Sequence, residues 1–144
     1  SLEDEYVATT GAVLAGRDSF DSGIGDARPY GPQWQGAIFV LTHHPEDARP
    51  VDDITILSCP VEEAVAIALK AAGGKNVEVF SADIGRQLLE RGLIDEIDLH
   101  VAPILLGDGI RLYDNPGAAP IRLDRLCVPD PTAEANLRYR PHRP

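Results

Sequence analysis

Short apolar runs bounded by polar turns recur through the first half of the chain: AVLAG (12–16), AIFVLT (37–42), ITIL (54–57) and NVEVF (76–80). Runs of this length between glycine, proline and acidic residues suit buried strands better than helices. Between them the spacing changes. Val61, Val65 and Leu69 repeat every four residues and predict a helix with one apolar face. Ser58-Cys59-Pro60 starts it with a small capping residue and a proline, Glu62 and Glu63 sit at its positive end, Lys70 near its negative end, and Gly73-Gly74 stop it. A second helix is predicted from about Ala82 to Arg91, with Ile84, Leu88 and Leu89 inward and Gly92 as its stop. LEDEYVA (2–8) is also helix-compatible and acidic at its front.

The second half changes character. IDLHVA (97–102) alternates strictly and predicts a half-buried strand, followed by Pro103 and the turn LLGDG (105–109). IRLDRLCV (121–128) and ANLRYR (135–140) predict two further strands, antiparallel neighbours through the turn PDPTAE. Strands alternating with helices and then strands alone imply an α/β fold, a mostly parallel central sheet with antiparallel C-terminal strands. The span 16–36 is polar and holds five glycines and two prolines, so it is expected to be a long loop, and loops of that length are usually functional or mobile. No internal repeat or second domain is visible, and residues 1–144 are expected to form one domain.

Composition narrows the partners. A formal charge of −10 repels nucleic acid and anionic membranes at long range, and no apolar stretch has the length of a membrane span. A local basic pocket for a small anion is still compatible with it. Lys70 and Lys75 are the only lysines, so a phosphate contact would come from arginine and its bidentate fork. Cys59 and Cys127 form no C-x-x-C pair and are expected to be reduced, partly buried thiols. The cytoplasm is the expected compartment.

Parallel sheets bind ligands at the carboxyl ends of their strands, beside a change in strand order. Three predicted strands end in suggestive turns: Arg17-Asp18-Ser19, Thr42-His43-His44 and Ser81-Ala82-Asp83. An arginine, hydroxyls, imidazoles and a helix N-terminus could together clamp a nucleotide phosphate, although strand ends are polar by default. Other chemistries lack their motifs. No G-x-G-x-x-G follows a strand and no G-x-x-x-x-G-K-[ST] exists. His43, His44, Glu46 and Asp47 have no metal-ligand spacing, and no metal is expected. Ser19 and Ser81 lack a nucleophile-elbow context.

GAVLAGRDSFD (11–21), FVLTHHP (39–45) and above all SADIGRQLLERGLIDEIDLHVAPILLGDGIRLYD (81–114) resemble the dihydrofolate reductase-like superfamily. The nearest branch is the one containing the reductase domain of the bifunctional riboflavin-biosynthesis deaminase/reductase. The similarity runs over nearly the whole chain. It implies a dihydrofolate reductase-like α/β fold with helices on both faces. It also implies an NADPH-dependent reductase passing hydride to a pteridine- or aminopyrimidine-like ring, and pairing into a homodimer, through IDLHVA and ANLRYR, with Arg138 and Arg140 projecting from one face.

Carried over residue by residue, the resemblance assigns NADPH contacts to Gly16, Arg17 and Ser19, to Thr42 and His43, and to Ser81, Ala82, Asp83 and Ile84. Trp34 either covers the pocket or anchors its loop. Three departures accompany these matches. Asp18 stands where a basic residue is frequent, and Val79 where riboflavin-type reductases place a substrate-contacting glutamate. Phe80 and Ser81 replace a glycine pair that lets the backbone approach the dinucleotide, and a bulky residue cannot easily take φ > 0. The family's front, another strand and loop of about 30–50 residues, lies outside this sequence. That front carries the acid used by dihydrofolate reductases proper, so no catalytic residue is assigned. The alternative to a reductase is a non-catalytic relative that binds dinucleotide weakly or not at all.

Overall fold

The computed structural model describes residues 1–127 and 135–144. Four strands, β1 (Thr10–Gly16), β2 (Ala37–Leu41), β3 (Ile54–Leu57) and β4 (Asn76–Phe80), form an all-parallel sheet in the order β3-β2-β1-β4. The chain steps outward from β1 to β2 to β3. A helix then carries it back across β1 to lay down β4 on the far side. The direction of winding therefore reverses at β1, flanked by β2 in the register Ala12↔Ala37 and by β4 in the register Ala12↔Val77.

β1 is buried on both faces, as the continuous apolar run requires. Ala12 and Leu14 point to one core; Val13 and Ala15 point to the other. The first core is covered by α2 (Val61–Ala72) and α3 (Ala82–Glu90). The inward face of α2 is Val61, Ala64, Ala68 and Ala72, whereas Val65 is half-buried and Leu69 is 54 % exposed. The fourfold repeat of large residues thus misplaced the stripe by a fraction of a turn. Small residues face the sheet because the helix packs against it at very short range. A Cβ placed on Gly11 would lie 2.3 Å from the Ala72 carbonyl oxygen. The N-cap of α2 is Pro60, which offers no side-chain acceptor, so the capping role expected of Ser58 is not realised.

The second core has no long helix. Phe20, Trp34, Val13, Ala15, Ile38 and Val40 fill it, with Val7 of α1 (Leu2–Thr9) packed against them. The expected loop at 16–36 is instead partly helical: a turn at Arg17–Ser19 runs into a wider turn at Phe20–Ile24 that buries Phe20 completely. Gly31–Gln33 adds a 3-10 turn, entered from Tyr30 at a left-handed φ of 62°. Trp34 is 3 % exposed and its indole N–H donates to the Thr10 carbonyl at 2.8 Å, with Arg28 stacked over the ring.

The antiparallel strands β5 (Ile97–His100), β6 (Leu123–Leu126) and β7 (Asn136–Pro141) form a sheet of their own in the order β5-β7-β6. The predicted β6–β7 pairing holds in the register Leu126↔Arg138, and the PDPTAE turn between them lies outside the described residues. β5 stops at His100, two residues short of the alternating run, and Val101 is already 57 % exposed. Helix α1 fastens this sheet to the rest. Tyr6 donates its hydroxyl to Asp98 at 2.5 Å, and Arg138 bridges Asp98 (2.7 and 2.9 Å) and Glu5 (2.9 Å). Arg138 is consequently 8 % exposed and does not project from a face with Arg140 as the resemblance implied, while Arg140 is exposed and pairs with Glu96. Cys59 is half-buried and Cys127 exposed, and both are free thiols.

Candidate functional site

The carboxyl ends of β1, β2 and β4 open onto one groove of about 1140 Å³, located where the winding reverses. Open α/β sheets bind ligands at such a point. All nine residues singled out from the sequence border it: Gly16, Arg17, Ser19, Thr42, His43, Ser81, Ala82, Asp83 and Ile84. The sequence order had scattered them over some seventy positions.

Gly16 ends β1 against the start of α3. An added Cβ would meet the Ser81 Oγ at 2.8 Å and the Ser81 Cβ at 3.1 Å, so a side chain here would displace the Ser81 side chain. Ser81 caps α3, accepting the Ile84 N–H at 3.1 Å. The Ile84 amide is thereby spent and its side chain is buried, so Ile84 supplies a wall and no donor. The amides of Ala82 and Asp83, in the first turn, have no intrahelical acceptors and carry the positive end of the helix dipole.

The other hydroxyls are committed to structure. Ser19 donates to the Phe80 carbonyl at 2.9 Å, tying the turn after β1 to the end of β4. Thr42 is 9 % exposed and its Oγ1 accepts the His44 N–H at 3.1 Å, shaping the turn that exposes His43 and His44.

Phe80 does not obstruct the groove. Its side chain packs into the second core, on the opposite face of the sheet from Val77 and Val79. Neither Phe80 nor Ser81 is in the left-handed region; Ser81 is extended at φ −171°, and among the described residues the non-glycine residues with positive φ are Tyr30 and Asp53. The expected steric and conformational block is therefore absent, because strand alternation turns the Phe80 ring away. Trp34 is likewise not among the groove residues and is the anchor of its loop.

Charge is where the site departs most from expectation. Arg17 gives Nε to Asp21 at 3.0 Å and its two terminal nitrogens to the carbonyls of His44 (3.1 Å) and Asp47 (2.8 Å). Its fork is filled from within the chain. Arg86 is held by Asp83 (2.7 Å) and Glu90 (3.1 Å), and Arg91 by Glu62. The hydrogen bond from Arg86 holds the Asp83 carboxyl below its ordinary range against some burial, with Gln87 and His43 assisting. Glu62 is lowered first by its own backbone amide at the start of α2 and then by Arg91. Burial, aided by Glu63, pushes the Cys59 thiol up, so it is not a poised nucleophile at the groove wall.

His44, Glu46 and Asp47 bring their ligating atoms within 4.8 Å of one another, all exposed on the rim. His44 and Glu46 already pair at 3.3 Å. The sequence offers His43, His44, Glu46 and Asp47 as neighbours without metal-ligand spacing, and a 3-10 turn at Pro45–Asp47 folds the last three together.

The family model of the RibD C-terminal domain matches residues 32–130, more than half of the chain. The chain belongs to the RibD C-terminal domain family. A protein of Shewanella sp. PV-4 assigned to riboflavin biosynthesis superposes with a TM-score of 0.73 at 18 % identity, over 97 % of this chain and 78 % of that one. RibD from Acinetobacter baumannii gives a TM-score of 0.61 at 18 % identity over 98 % of this chain, which spans 49 % of that protein. Dihydrofolate reductase from Enterococcus faecalis, solved with NADP(H), gives 0.57 at 20 % identity over 99 % and 81 %. These likenesses establish a dihydrofolate reductase-like α/β fold. No curated protein sequence matches the chain. The groove residues Thr42, His43 and Ser81–Ile84 fall inside the RibD C-terminal match, whereas Gly16, Arg17 and Ser19 precede it.

Proposed function

We propose that this RibD C-terminal domain protein is an NADPH-dependent reductase of a small ring of the pteridine or aminopyrimidine class. The observation that carries the reading is the meeting of three strand ends and the α3 N-terminus on one groove at the winding reversal. The residues suit a phosphorylated dinucleotide. Gly16 lets the end of β1 lie against the Ser81 cap of α3, Ala82 and Asp83 stand in the first turn of α3 where amides lack intrahelical acceptors, and the groove is large enough for an extended ligand. His43, exposed after β2, adds positive charge when protonated. When bound, NADPH supplies the hydride; the chain supplies position and a wall of Ile84, Leu41 and Val61 that sheds water. We place the reaction in the cytoplasm, where the NADPH pool is. We further propose that the protein works as a homodimer. Val101, Ile104, Leu105, Leu106 and Leu112, all more than half exposed, provide apolar surface for self-association.

A second reading, a relative that keeps the fold without turnover, is favoured by the acid pairing of Arg17, Arg86 and Arg91. Calorimetric titration of NADPH separates the two. Binding in the micromolar range supports the reductase, and absence of binding up to millimolar sides with the second reading.

A further inference from the structure

The groove brings four arginines together, Arg17, Arg86, Arg91 and Arg111, with five carboxylates, Asp18, Asp47, Glu62, Asp83 and Asp114. A site with this balance attracts a nucleotide's phosphates only if some guanidinium is not already consumed. Three are consumed: Arg17 by Asp21 and two carbonyls, Arg86 by Asp83 and Glu90, Arg91 by Glu62 and the Gln87 carbonyl. Among the described residues, Arg111 has no acidic or carbonyl partner, and it is exposed on the groove rim.

Arg111 lies outside the three strand-end turns that the sequence marks as the site. It belongs to the long irregular segment after β5, which passes the open side of α3. Asn115 pins that segment to the end of α3, donating to Glu90 at 2.8 Å and to the Tyr113 hydroxyl at 3.0 Å. Gly107, at φ +82°, and an Asp108 carboxylate accepting the Gly109 N–H at 2.8 Å turn the chain just before Arg111. The segment is thereby held beside α3, and Arg111 lines the same groove as Ser81, Ala82 and Asp83 at the α3 N-terminus.

We propose that Arg111, not Arg17, is the residue that grips a nucleotide phosphate in this groove. The inference rests on the reading of the groove as a dinucleotide site. It leaves Arg17 a structural clasp and makes the segment after β5 the second wall of the phosphate subsite. A free fork aimed at a phosphate pairs bidentately and is worth far more than a solvated ion pair.

The test is calorimetric titration of NADPH and of NADH into the wild-type chain and Arg111→Met, Arg111→Lys and Arg17→Ala variants, with thermal melts confirming folding. Arg111→Met is expected to weaken binding roughly tenfold to a hundredfold and to flatten its salt dependence, and lysine to restore part of the loss. A loss shared by both nucleotides assigns Arg111 to the pyrophosphate; a loss confined to NADPH assigns it to the 2′-phosphate. Either supports the proposal. Wild-type binding that is unchanged in Arg111→Met overturns it and leaves the dinucleotide reading standing. Failure of the wild-type chain to bind either nucleotide overturns both.

Discussion

Arg17, the first residue after β1, gives its Nε to both carboxylate oxygens of Asp21 at 3.1 and 3.0 Å, one helical turn further on. Its terminal nitrogens then cap carbonyls of the turn after β2. The arginine best placed by sequence to meet a phosphate is therefore a brace between two strand-end turns. Replacing it with alanine should cost about 1–2 kcal/mol of stability, the value of charge-assisted hydrogen bonds discounted for partial exposure. NADPH affinity should move by less than about threefold, since few donors are left to lose. Urea unfolding and calorimetry on the same preparation read both. A folded Arg17→Ala protein that binds no nucleotide would show that the brace opens to ligand.

Phe80 and Ser81 give a second separation. The Phe80 ring belongs to the second core, and Ser81 caps α3. The double change to glycine should destabilise the protein by about 2–3 kcal/mol, nearly all of it from the half-buried ring. The Ser81→Gly component alone should cost only a few tenths of a kcal/mol. No gain in nucleotide affinity is expected from either. A tighter complex would restore the view that the lost glycine pair impairs the site.

What could be read from the sequence, and what could not, divides along local and non-local physics. The four parallel strands, α3 and the β6–β7 pair announce themselves because apolar runs and period-two or period-3.6 patterns are local. The groove residues were legible for the same reason: polar turns follow buried strands. Side-chain commitments were not. Whether Arg17 is free depends on Asp21 and on carbonyls some thirty residues away, and whether Phe80 blocks the groove depends on which face strand alternation gives it. The inward stripe of α2 was misjudged because large residues were assumed to be buried. Here the close approach of the helix to Gly11 demands alanines. Arg111 was missed because an irregular segment has no period to read.

Asp98 carries the pH dependence of the clasp between the two sheets. Burial alone would raise its carboxyl. The hydrogen bonds from Arg138 and Tyr6 outweigh burial and hold it below its ordinary value of 3.8. A carboxylate depressed in the folded state contributes stability that is present above its unfolded value and is lost as pH falls through the folded one. Stability measured by urea unfolding should therefore be flat in this respect near neutrality and decline below about pH 4. Asp98→Asn should be less stable at pH 7, leave Arg138 without its main partner, and show a shallower acid limb that meets the wild-type curve at low pH. Parallel curves offset by a constant amount would show that Asp98 is not the group responsible.

Two glycine-to-alanine changes should move stability in opposite directions, because one Cβ would enter the contact between β1 and α2 and the other would enter open space beside α3. At Gly11 an alanine Cβ would sit 2.3 Å from the Ala72 carbonyl oxygen and 2.7 Å from its Cα, and these backbone atoms can yield only if the end of α2 moves. Overpacking of this kind costs about 1–3 kcal/mol. Gly85 lies within α3, where a Cβ meets nothing within 4 Å and φ is not in the left-handed region. There alanine should add about 1 kcal/mol through helix propensity. Thermal melts of Gly11→Ala and Gly85→Ala should bracket the wild-type midpoint. A Gly11→Ala protein as stable as wild type would mean that α2 does not rest on β1 as closely as the Ala64, Ala68 and Ala72 stripe implies.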